Sequence, residues 1–89
     1  MTMSKSALVE RSGLTSQQMD VVRESLSYGQ RRTPSEIEVH TGIARAALIK
    51  ALRVLVRYGS VESSHTKTVK NIEGRSVTER TYFMTRRGF

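Results

Sequence analysis

Thirty residues in the middle of the chain, TPSEIEVHTGIARAALIKALRVLVRYGSVE from Thr33 to Glu62, constrain the fold more than any other stretch. Thr33-Pro34-Ser35-Glu36 is a helix start: threonine caps, proline takes the first helical position where its missing N–H costs nothing, and Glu36 can close a capping box. Gly42 stops this helix early, with Ile37 and either Val39 or His40 expected to turn inward. A longer helix is expected from about Ala44 to Tyr58, stopped by Gly59. In it Leu48, Ala51, Leu52 and Leu55 fall within a narrow arc at about 100° per residue, and Ala46, Lys50, Arg53 and Arg57 fall opposite. Ile49, Val54 and Val56 flank the arc, so the apolar stripe is wide enough for two packing neighbours.

The flanking sequence supplies candidates for those neighbours. Thr15 can cap a helix expected over about 15 to 28, with Gln18 completing a capping box and Gly29 as its stop. Met19, Val22 and Leu26 lie on one face of it. After Val61 the composition changes: SVESSHTKTVK and RSVTERTYFM are rich in β-branched and small polar residues, the signature of strands. Asn71-Ile72-Glu73-Gly74 reads as the loop between them. If Lys70 pairs with Arg75, Val61 faces Met84 and Ser63 faces Tyr82, which makes a hairpin apolar at its root and basic at its tip. Residues 1 to 13, with the single apolar pair Leu8-Val9, are expected to be a flexible arm, ordered only if it docks or pairs with another subunit. Residues 14 to 89 are expected to form one α+β domain: three helices, then a two-stranded β-hairpin.

A chain of 89 residues without cysteine has one small core, which buries only about 60% of the unfolded surface, and no disulfide or thiolate metal site. No apolar run suits a signal peptide or a membrane span, so a cytoplasmic protein is expected. The net charge of +7 is unevenly placed. Residues 1 to 43 are balanced, whereas residues 44 to 89 carry ten basic side chains against Glu62, Glu73 and Glu79. Such asymmetry points to a polyanionic partner, nucleic acid before an anionic membrane surface. The alternative is a basic surface kept for solubility.

The order helix, short helix, glycine turn, long helix, hairpin resembles a winged helix-turn-helix. Residues 33 to 62 look like the helix-turn-helix of bacterial winged-helix regulators, with Ile37, Gly42, Ile43, Leu48, Leu52, Leu55, Gly59 and Val61 where that family keeps apolar residues or glycine. The run Arg80-Thr81-Tyr82-Phe83-Met84-Thr85-Arg86-Arg87-Gly88 is similar to the last wing strand and closing segment of the multiple-antibiotic-resistance regulators. The size is similar to that of small pilus-operon and phage regulators.

The resemblance implies a sequence-specific transcriptional regulator that binds double-stranded DNA as a homodimer in the cytoplasm, on the nucleoid, without a cofactor. It puts the helix over 44 to 58 in the major groove and the hairpin over 61 to 84 on the adjacent minor groove or backbone. Arg45, Lys50 and Arg53 would reach bases or phosphates, Ala46 a thymine methyl, and Arg57 the backbone. Thr33 and Ser35, with the free N–H groups beginning the short helix, would clamp a phosphate. Lys67, Lys70 and Arg75 would follow the neighbouring groove. The start of the long helix, Ala44-Arg45-Ala46-Ala47, departs from the family, which often has serine or threonine there.

No enzyme is expected: two histidines and scattered carboxylates make no metal set or catalytic pair, and there is no glycine-rich phosphate loop. With no second domain to hold an effector, control is expected from abundance, a regulatory protein partner or competition for the site. The other reading is a winged-helix adaptor, acting through protein contacts in replication, recombination or inhibition.

Overall fold

The computed structural model describes residues 4–27 and 29–88; the expected first-helix terminus at Tyr28, the first three residues of the arm and Phe89 lie outside them. Among the described residues the chain is α+β, with four helices followed by one antiparallel hairpin. The segment expected to be a flexible arm contains the additional helix, α1 (Lys5–Ser12). Ser4 caps it by accepting the Ala7 N–H, and Gly13 ends it with φ of 79°. Eight residues cannot sustain a helix in water on their own. What holds α1 is packing against the fourth helix: Leu8 is 3% exposed and belongs to the core. Buried Ser12 steers the chain onward, donating to Val9 O and accepting the Leu14 N–H.

Next, α2 (Ser16–Ser25) opens with the Thr15–Gln18 capping box and buries Met19 and Val22. It stops earlier than expected, with Leu26 as its C-cap rather than a glycine. Arg32 caps that end. Its Nε donates to Ser25 O at 2.7 Å and its main chain exchanges two hydrogen bonds with Tyr82. The carbonyl freed at the helix end is thus bound by a cation, and the chain is tied to the hairpin before α3 begins.

α3 (Pro34–Thr41) carries the Thr33–Glu36 capping box and ends at Gly42, φ 76°. Ile37 is fully buried, whereas Val39 is 57% exposed and His40 is exposed against the Arg32 guanidinium; neither turns inward. α4 (Arg45–Arg57) buries Leu48, Ala51, Leu52 and Leu55 as its spacing requires. Ala44 offers no side-chain cap, and Glu38 of α3 replaces it by accepting the Arg45 N–H at 3.0 Å. At the other end Arg87 donates to Tyr58 O.

The hairpin pairs β1 (Val61–Lys70) with β2 (Ser76–Met84). At the root the partners are the expected ones, Val61 with Met84 and Ser63 with Tyr82. Toward the tip the register is shifted by one, so Lys70 pairs with Ser76 rather than Arg75. The two registers are joined by a β-bulge in which Ser64 and His65 oppose Thr81 alone. The loop is therefore one residue longer than expected. Asn71 organises it: its side-chain oxygen accepts the N–H groups of Glu73 and Arg75, and its main chain closes the turn with Arg75 O and Gly74 N–H. The molecule is elongated, 38 Å along its long axis against 23 and 20 Å along the other two. No helix among the described residues is long and apolar enough to cross a membrane.

Candidate nucleic-acid interface

The core fixes the outward face of α4. With Leu48, Ala51, Leu52 and Leu55 turned inward, Ala46, Lys50, Arg53 and Arg57 are all exposed, and none of these three cations is in an ion pair among the described residues. The lysine leans to one side: its Nζ lies 3.5 Å from where a Cβ on Gly13 would stand. It sits at the C-terminal end of α1, where the helix dipole is negative. Arg53 and Arg57 lean the other way and, with Val56, Ser63 and Tyr82, line an open cleft of about 240 Å³ between α4 and the root of the ribbon. At the tip Lys70 and Arg75 are exposed and in no ion pair among the described residues, flanking Ile72, which is 60% exposed.

Four of the expected contact residues are engaged inside the molecule. Thr33 and Ser35 are completely buried. Thr33 spends its hydroxyl on the Glu36 N–H, and the Ser35 N–H donates to Glu79 of β2 at 3.0 Å. The anion site at the start of α3 exists as electrostatics requires, but a carboxylate of the chain itself fills it, so these two residues do not form an open phosphate clamp. The second Glu79 oxygen accepts from Arg45 Nε, joining β2 to the first turn of α4. Arg45 keeps a 48% exposed side chain while its guanidinium is held sideways. Lys67 is paired with Glu36 at 3.1 Å.

Glu79 is the buried charge on which this arrangement turns. Burial acts to raise its carboxyl pKa, but the hydrogen bonds from Arg45 and Ser35, with the arginine's charge, outweigh that and hold it below its ordinary value of 4.5. The sequence marks neither Glu79 nor Glu38 as special, since their partners lie 44, 34 and 7 residues away. The only signal is indirect: a long helix starting at an alanine leaves N–H groups that something else must satisfy.

Among the described residues no group of three or more His, Cys, Asp or Glu could hold a metal ion. What the surface offers is a row of cations on one helix, a cleft beside it and a second pair of cations at the ribbon tip. Compared with protein-family models and with curated proteins, the chain has no match.

Proposed function

We propose that this chain is a winged helix-turn-helix that binds double-stranded DNA as a sequence-specific transcriptional regulator, with α4 in the major groove and the β1–β2 ribbon as the wing. The observation that carries the reading is the exposed ridge of Lys50, Arg53 and Arg57, in no ion pair among the described residues, on a helix whose opposite face is wholly core. A helix of this width fits the major groove, and unpaired cations are what phosphate neutralisation requires. Arg53 is the candidate base reader, because its fork matches the guanine O6 and N7 acceptors; Ala46 offers only apolar contact. Arg57, Lys70 and Arg75 act on the backbone. Two copies on a two-fold site would place two such ridges on successive turns.

The test is fluorescence anisotropy over a salt series with the duplex flanking the gene and with an unrelated duplex. Steep salt dependence with preference for the flanking duplex is the expected result. Arg53→Ala should reduce that preference by about 1–3 kcal/mol, whereas Lys50→Ala should weaken both duplexes alike. Absence of binding at low salt would reject the DNA reading. It would favour the adaptor, for which the exposed Val39 and Ile72 are the contact residues to examine.

A further inference from the structure

The β-bulge gathers two arginines and a histidine from three places in the chain around one serine. Arg31, from the segment between α2 and α3, donates to Ser64 Oγ at 2.7 Å. Arg80 of β2 donates to Ser64 O at 3.3 Å. His65 Nδ1 lies 3.2 Å from Ser64 Oγ. The Arg31 guanidinium is also stacked 4.7 Å above the centroid of the Phe83 ring, which fixes its plane. Both arginines and the histidine are exposed, and neither arginine is in an ion pair among the described residues. Glu62, across from Phe83, is a single carboxylate and leaves the cluster net positive.

Two like-charged guanidinium groups brought to one residue repel each other, and no ion pair among the described residues neutralises them. Bulges commonly re-aim side chains at functional sites, and this one turns the Ser64 hydroxyl and carbonyl toward two different arginines. The position also matters. Ser63 and Tyr82, the adjoining root pair, line the cleft that Arg53 and Arg57 share. Arg31, over Phe83, stands on the ribbon face opposite to that pair, so the cleft and the Arg31 guanidinium flank neighbouring rungs from two sides.

We infer that Arg31 and Arg80 form an oxyanion site at the β-bulge that holds a phosphate group, and that this phosphate belongs to the backbone of a duplex bound on α4. The source of the phosphate rests on the DNA reading above; the site rests on the cluster. Planar forks suit phosphate oxygens in pairs, and Ser64 positions the forks until the phosphate takes over their N–H groups. The backbone is thereby gripped at the ribbon root, a place from which the tip residues Lys70 and Arg75 are remote in the ladder.

The experiment uses the full chain, isotope-labelled, with arginine Nε–Hε signals followed by NMR. One titration adds an unrelated duplex and another adds inorganic phosphate; anisotropy salt series are run on Arg31→Gln/Arg80→Gln and on Arg31→Lys/Arg80→Lys. The expected result is movement of the Arg31 and Arg80 signals in both titrations. The glutamine pair should have a log–log salt slope shallower by about 0.9, the contribution of the one phosphate left without its cations. The lysine pair should keep the slope, and both pairs should melt like the parent. Duplex binding with an unchanged slope in the glutamine pair would overturn the inference and leave the DNA reading standing. No duplex binding, with the two signals moving in phosphate, would reject the DNA source and keep the oxyanion site. No response in either titration would reject both.

Discussion

At the scale of single residues, Glu79 accounts for much of how the helices and ribbon are joined. It accepts from the N-terminus of α3 and from Arg45, so it does within the molecule what a bound phosphate would do from outside. Because its pKa is lowered in the folded state, the unfolded chain holds the proton more tightly, and the stabilisation is present above the ordinary value of 4.5 and is lost as pH falls through the lowered folded value. Denaturant melts from neutral pH downward should therefore show parent stability dropping in that acid range, and Glu79→Gln should drop less steeply. At neutral pH the same variant should cost about 2 kcal/mol, since it weakens the acceptor of a buried N–H. Equal pH profiles for parent and variant would count against this role. Thr33→Ala should cost about 1 kcal/mol by removing the cap of α3, a loss of stability rather than of a phosphate ligand.

At the scale of elements, those with strong local signals were legible in the sequence. The α3 and α4 pattern, both capping boxes and the pairing at the hairpin root could be read from spacing and turn chemistry. Three features could not. α1 has Ser4 and Gly13 at its ends, but its apolar content is little more than Leu8 and Val9, and its stability comes from α4 rather than from its own sequence. The early end of α2 is capped by Arg32, whose partners Ser25 and Tyr82 lie on different elements. The one-residue shift in the hairpin escaped because Ser63 to Thr68 is polar throughout, and a polar strand hardly specifies its register. Of the candidate site, the α4 ridge is exposed as periodicity requires, and Lys70 and Arg75 stand at the tip, although not paired with each other. Thr33, Ser35, Arg45 and Lys67 answer to internal partners that no spacing rule reveals. The prediction belonging here concerns α1: Leu8→Ala should destabilise the whole domain by about 2–4 kcal/mol in a single transition. A separate early melting of α1, or no change, would show that the helix is an appendage.

For the whole molecule, the distribution of charge outweighs its total. Of the cations expected to face a polyanion, Lys50, Arg53, Arg57, Lys70 and Arg75 are in no ion pair among the described residues, while Arg45 and Lys67 are paired. Those five give a log–log salt slope of about −4 to −5 if each takes one phosphate. Adding the one phosphate held by the bulge pair would steepen it by about 0.9, so the slope of the parent protein, compared with that of the glutamine pair, distinguishes a ridge-and-tip footprint from one that also covers the ribbon root. The two ends of the footprint are also independent in stability terms, because the tip loop is closed by Asn71 and has no part in the core.

The surplus residue in β1 has one more implication. Ser64 and His65 share a single partner, so removing either would leave Val61 opposite Met84 and Lys67 opposite Glu79, every rung intact. What would disappear is the bend, because an unbroken antiparallel ribbon twists and kinks less than a bulged one. The hairpin would still form, yet point elsewhere relative to α3 and α4. A single-codon deletion at this spot is thus a steering change, separating where the ribbon aims from whether it folds.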